Sequence, residues 1–401
     1  MERKQEKKIT ITLAVITCVI VAVILFLVLE AIMRAQAKRQ SNLPLKGVDL
    51  SLLKAESSSQ QNLIYSPLAL KYGLATLRDG AGGDTKQQIE TVLNTDNLPE
   101  YQDSKDTSSL VNAVAYKNDL KDSISEEYKK QVTDKYHADI LFDDFKDGRE
   151  IDRWLSQKSV GLVHGLGVHA DEHTQMSLIN SLTVQTEWKS GFTYEETVGL
   201  DFHKKDDKDM KAAMMHQYTK SDSVGYRKDG DTVVLTMDLV EHDNNKLQMV
   251  AVVPNNDLDQ YIKEMNDSTL DSIQSTAKKT KKASEVKGGI SLYMPRFRSD
   301  TELNVRSDLE TLGMTDAFNE EKSDFSQMSQ KKLTLGDIMH TANIDFREMP
   351  GALEEPETKK SNDNVVEIKL NRPFLFLIQN KDNDDVWFVG TMYEPEMWTQ
   401  S

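Results

Sequence analysis

Ile9 to Leu29 is an unbroken run of 21 residues without a charge, and its only polar side chains are Thr10, Thr12, Thr17 and Cys18. As a helix rising about 1.5 Å per residue it is about 30 Å long, the thickness of one bilayer core. Arg3, Lys4, Lys7 and Lys8 precede it, and Arg34, Lys38 and Arg39 follow. With basic residues at both ends, the positive-inside rule favours a cytoplasmic N-terminus only weakly; the short leading segment points the same way. The expected topology is a cytoplasmic stretch over residues 1–8, a transmembrane signal anchor over 9–33, a linker over 34–45 and a body outside the cell. The rival is a secreted chain. Ala35-Gln36-Ala37 has the form of a cleavage site, but the apolar core exceeds the roughly 7–15 residues of a signal peptide. Cys18 is a passenger in the span, since Val19 to Leu29 continues the apolar run instead of opening a mature lipoprotein.

The remainder is a different kind of sequence. The first forty residues carry seven basic and three acidic groups, so a chain of net charge −16 leaves about −20 on everything after them. That acidic excess excludes nucleic acid as a partner. No cysteine follows Cys18, so neither a disulfide nor thiolate chemistry is available to the body. Gln40 to Lys54 reads as a short polar tether. Beyond it no Pro/Gly/Ser-rich linker, low-complexity block or repeat divides the chain, and a single domain over 46–397 is expected. Helical periods come first, through Leu68, Tyr72, Ala75 and Leu77 and then Ile89, Val92 and Leu93. Strand-like runs dominate from Met176: Ser177–Val184, Thr232–Met237, Leu247–Val253, Ile290–Met294, Val365–Leu370 and Phe374–Ile378. Helices first and strands later indicate an α+β fold with large sheets. Phe346 to Asn364 stands apart, with two prolines, five acidic residues and almost no apolar periodicity. So long a loop in a compact domain is functional or disordered.

Enzyme signals are weak. No G-x-S-x-G, H-E-x-x-H or G-K-[ST] pattern occurs. Gly165-Leu-Gly167-Val-His-Ala170 fits a dinucleotide fingerprint by chance, lacking a strand before it and a helix after it. Gly80-Ala-Gly82-Gly83 is a turn ending a helix. His164, His169 and His173 sit in a glycine-containing loop and read as solvated imidazoles, not as metal ligands. No catalytic residue, metal or cofactor is expected.

Seven blocks in order resemble the serpin family. They are Asn62-Leu-Ile-Tyr-Ser66-Pro67 with Gly80-Ala81-x-Gly83-x-Thr85-x-x-Gln88-Ile89; Ile151-Asp-Arg-Trp154-Leu-x-x-x-Ser159-x-Gly161; and Asn180 with Trp188, Phe192 and Phe202-His203. Met294-Pro295-Arg-Phe297, Leu312-Gly313 to Phe318 and Asp324-Phe325-Ser326 follow, and Asn371-Arg-Pro373-Phe374 with Phe388-Val-Gly390 closes the chain. The resemblance implies three β-sheets, about eight or nine helices and an exposed reactive loop at about 348–366. It also implies serine-type endopeptidase inhibition by insertion of the cleaved loop into the main sheet. Ser66, Asn180 and His340 match three positions of the polar shutter beneath that sheet, Ala69 stands where a second serine is usual, and Trp188 matches the breach where insertion begins. The implied partner is an extracellular protease of serine or cysteine type, or another protein bound by the same scaffold.

The loop departs from the family hinge of small residues. Glu348 matches the acid before it, but Met349-Pro350-Gly351-Ala352-Leu353-Glu354-Glu355-Pro356 follows. Adjacent strand residues face opposite sides, so in any register an inserted Glu354-Glu355 pair aims one carboxylate inward. An unpaired buried charge costs several kcal/mol or forces protonation, and prolines cannot donate to a central ladder. Weak or absent suicide inhibition is expected, against the alternatives of a true inhibitor at the cell surface and a non-inhibitory binding or carrier protein. Counting from Glu348 gives Asn364-Val365 as the scissile bond; counting back from Pro373 gives Asn362-Asp363. Lys359 and Lys360 offer trypsin-like sites.

Overall fold

Ser66 starts the first long helix. Its Oγ accepts the Ala69 N–H at 3.0 Å, Pro67 supplies the pre-set first turn, and the helix runs to Gly80. Eleven of its fourteen residues are buried, because it packs against strands of two sheets and against two further helices. The computed structural model describes residues 45–56, 61–101, 104, 107–159, 174–205, 209–230, 232–346, 348 and 364–399.

In chain order the first half contains α1 (Ser51–Glu56), β1 (Leu63–Tyr65), α2 (Pro67–Gly80), α3 (Gly83–Leu93), β2 (Ser108–Lys117), α4 (Glu126–Tyr136), β3 (Asp139–Asp143), α5 (Arg149–Lys158) and β4 (Met176–Val184). Then come β5 (Val198–His203), β6 (Asp209–Thr219), β7 (Val224–Asp229), β8 (Thr232–Asp238), β9 (Leu247–Val253), α6 (Leu258–Glu264), α7 (Thr269–Ala277) and β10 (Lys281–Lys282). The last part holds β11 (Ile290–Pro295), β12 (Phe297–Asn304), α8 (Arg306–Thr311), β13 (Leu335–Phe346), β14 (Val366–Lys369), β15 (Phe374–Asn380) and β16 (Val386–Met392).

Among the described residues the strands form three sheets: β12-β13-β4-β2-β3, β14-β11-β6-β5 and β1-β16-β15-β9-β8-β7-β10. The five-stranded sheet matters most here. Its central strand, β4, runs parallel to its neighbour β13, with His340 opposite Asn180 and Asn343 opposite Thr183. Every residue of β4 is buried, as expected of a strand covered on both faces. α2 packs against β2 and β4 on one face. On the other, Ile151 and Leu155 of α5 join Phe145 over Val111, Ala115, Ile179 and Met339, so one apolar cluster draws on β2, β4 and β13.

Two expectations need correction. Residues 45–54 are not a polar tether: Leu45, Val48, Leu50, Leu52 and Leu53 are buried, Lys71 pairs with Asp49 at 2.7 Å, and the Tyr65 hydroxyl donates to the Asp49 carbonyl. Their apolar residues lack a helical or strand period because tertiary contacts, not a regular element, cover most of them. Strands also begin well before Met176. β2 mixes Ser, Asn and Ala with few β-branched residues, and burial on both faces removes the alternation that would mark it. No described helix is long and apolar enough to cross a membrane; the 9–33 anchor lies outside the described residues.

Candidate functional site

Beneath the β13–β4 seam, Ser66, Asn180 and His340 meet with no solvent exposure. His340 Nε2 accepts the Ser66 backbone N–H at 2.9 Å, which leaves the ring proton on Nδ1, donated to Asn180 Oδ1. Burial lowers the imidazole pKa from 6.5 to about 3, so the ring is neutral near pH 7. One step along the seam the Thr341 hydroxyl donates to Ser181 Oγ at 2.6 Å. The seam is therefore closed by side chains as well as by the backbone ladder. It is not fully satisfied. Ser177 Oγ, Asn180 Nδ2 and Thr183 Oγ1, all on β4, are buried without a protein partner, as is Asn112 Oδ1 on β2 directly opposite Asn180. Asn112 spends its amide nitrogen on Thr76 Oγ1 at 2.8 Å, and Gly73 leaves room for Asn180 Nδ2, which would lie 2.9 Å from a Cβ there.

Trp188 follows β4, is buried, bridges Leu239 through the backbone and meets Phe192 edge-on at 6.1 Å. Glu348 lies just beyond β13. Arg296 grips its carboxylate with Nε at 2.8 Å and with a terminal nitrogen, and Thr197 Oγ1 donates to the same group. Burial alone would raise the Glu348 pKa, but these donors outweigh it and hold it below the ordinary glutamate range. Both side chains of the ion pair are largely buried. Arg296 also lies over the Tyr194 ring at 5.3 Å and within 3.6 Å of Glu396. The proximal root of the loop is thus tied to the four-stranded sheet.

The distal root is tied too. β14 pairs in parallel with β11, Val366 N–H donates to the Gly289 carbonyl at 3.1 Å, and the Asn364 carbonyl lies so close to Gly288 that a Cβ there would sit 1.8 Å from it. Asn364 itself is exposed and Val365 half-buried. Met349, Pro350, Gly351, Ala352, Leu353, Glu354, Glu355, Pro356, Lys359, Lys360, Asn362 and Asp363 lie outside the described residues, as do His164, His169 and His173.

A serine–histidine–carboxylate chain does occur. His216 bonds Glu196 Oε2 at 2.8 Å and Ser291 Oγ at 2.9 Å. Ser291 is in mid-strand, between β6 and β14, so the ladders engage its backbone, and Glu367 of β14 sits opposite it. A nucleophile needs donors aimed at the developing oxyanion; here a paired backbone and a carboxylate stand in that place. The chain is a surface network across the sheet.

Sequence reasoning brought Ser66, Asn180, His340, Trp188 and Glu348 forward. It missed Arg296, Thr197 and Asn112. Arg296 stands inside the Met294-to-Phe297 block, but its partner is 52 residues away and local spacing could not reveal it.

Residues 47–395 match the family model described as Serpin (serine protease inhibitor). The chain belongs to the serpin family. Human Serpin B11 is 28% identical over 376 residues, covering 83% of this chain and 93% of that protein. Pig (Sus scrofa) plasminogen activator inhibitor 1 is 27% identical over 382 residues, covering 87% and 90%. The crystal structure of uncleaved ovalbumin superposes with a TM-score of 0.72 at 20% identity, covering 86% of this chain and 96% of that one. Serpins are protease inhibitors, not enzymes.

Proposed function

We propose that this serpin is held at a membrane by residues 9–33, with its body outside the cell, and that its loop meets endopeptidases without trapping them efficiently. The observation that carries the loss of trapping is Glu354-Glu355 between Pro350 and Pro356. Insertion between β13 and β4 would have to part the His340–Asn180 and Thr341–Ser181 contacts. It would then place one carboxylate inside the sheet at a cost of several kcal/mol. Ser66, Asn180 and His340 act in this reading as the shutter, and Trp188 as part of the breach. We place cleavage N-terminal to Asn364, a reading supported by the carbonyl of the Asn364–Val365 bond lying against Gly288. That leaves Asn362–Asp363 or a bond beside Lys359 and Lys360.

Mixing the protein with trypsin-, elastase- and subtilisin-like proteases tests the reading on denaturing gels. Cleaved serpin without a covalent adduct is expected, and a complex surviving denaturation overturns it. Masses of the released fragments locate the bond. The second reading, an inhibitor working at the cell surface, is favoured by the inhibitor names among the relatives.

A further inference from the structure

The folded body is strongly acidic, yet one edge of the seven-stranded sheet is basic. Arg227 and Lys228 lie on β7, Lys281 and Lys282 make up β10, Lys279 precedes it and Lys287 follows it. Lys281 pairs with Tyr226 and Lys282 with Gly225, which brings Lys279 alongside Arg227 and Lys228. Five of the six are exposed, Lys282 is half-buried, and among the described residues none of the six is in an ion pair. Carboxylates stand nearby: Asp222 takes the Ser284 hydroxyl, Glu285 takes the Lys282 backbone N–H, Asp384 takes Lys278, Asp229 ends β7 and Asp231 follows it in sequence. Lysines on an edge strand also block strand addition. That accounts for Lys281 and Lys282 but not for the other four.

The chain enters the body close by. Lys46 N–H donates to Asp267 Oδ1 at 3.1 Å, and Asp267 stands two residues before α7, which leads to Lys279. Largely helical chain from Asp267 to Lys279 spans about 18 Å, while the twelve residues of the 34–45 linker reach about 40 Å when extended. The basic edge is within reach of whatever surface holds the anchor.

We propose that this edge docks on anionic lipid headgroups of the tethering membrane, a proposal that rests on the anchor reading above. Lys287 adjoins Gly288, against which Asn364 packs, so docking turns the distal root of the reactive loop toward the bilayer. The serpin then presents its loop at the membrane surface to peptidases that work there.

The test inserts the full chain into vesicles of phosphatidylcholine alone or mixed with phosphatidylglycerol and follows amide hydrogen exchange. Each basic residue near an anionic surface contributes about fivefold in attraction, so exchange over residues 224–229 and 279–287 is expected to slow about tenfold or more on the mixed vesicles only. High salt should reverse the effect, and the K279E/K281E/K287E variant should not show it. Equal exchange on both vesicles overturns the proposal. So does protection by dextran sulfate but not by lipid, which assigns the edge to a soluble polyanion. Alkaline carbonate extraction reads the anchor separately: a chain that washes off the vesicles sinks the tethering reading, whereas a retained chain with unchanged exchange sinks only the docking.

Discussion

Thr183 carries a hydroxyl into the closed main sheet, opposite Asn343, where it finds no protein partner. A buried hydroxyl without a bond costs about 1–3 kcal/mol, and an isosteric methyl removes that cost. Thr183→Val should therefore raise the urea midpoint, by about 1 kcal/mol of stability. His340 works in the opposite sense, because its neutral form is what the fold holds. Above pH 6.5 both folded and unfolded rings are neutral and the contribution is fully present. As pH falls from 6.5 toward about 3 the unfolded ring takes up a proton that the folded ring refuses. Stability then falls by about 1.4 kcal/mol per pH unit across that window. Urea midpoints at pH 7 and pH 5 measure the slope, and His340→Gln should lose this share of it while being less stable at pH 7. A slope unchanged in the variant would remove His340 as its source.

At the scale of elements, both described roots of the loop are pinned, Glu348 by Arg296 and Val366 by the Gly289 carbonyl. Arg296→Ala removes the charge partner of a largely buried Glu348, a change that costs about 3 kcal/mol when such a pair is broken. The end of β13 should then fray, seen as faster amide exchange at Thr341 to Asp345 with α2 and α3 unaffected. Uniform acceleration across the molecule would mean a global effect instead. The elements that could be read from the chain were those whose signal is local. α2 announces itself by Ser66-Pro67 and an apolar stripe, and β9 by Leu247, Met249 and three valines, interrupted only by Gln248 and Ala251 and closed by Pro254. β2 was not legible, because burial on both faces and small polar residues erase its period. The Glu348 clamp was half legible: the acid stood out by position, but the guanidinium that answers it arrives through sheet topology.

For the whole molecule, the proposed resistance to loop insertion divides between a seam closed by His340–Asn180 and Thr341–Ser181 and a loop that carries Glu354-Glu355 between two prolines. Heating the loop-nicked protein separates outcomes: little gain in melting temperature is expected, and a large gain would show that Glu354 and Glu355 enter the sheet. Three members of the polar closure could be named from family position, yet the orphaned atoms of β4 could not, since satisfaction is a property of three-dimensional neighbours. The parallel pairing of His340 with Asn180 joins residues 160 apart in sequence. A ribosome adding about 5–20 residues per second delivers β4 some 10–30 s before β13 emerges to cover it. Through that interval β4 has β2, already made, on one side, while its other edge stands open with Met, Leu, Ile and Val among three hydroxyls and one amide, so a chaperone that covers that edge during translation should raise the yield of native serpin.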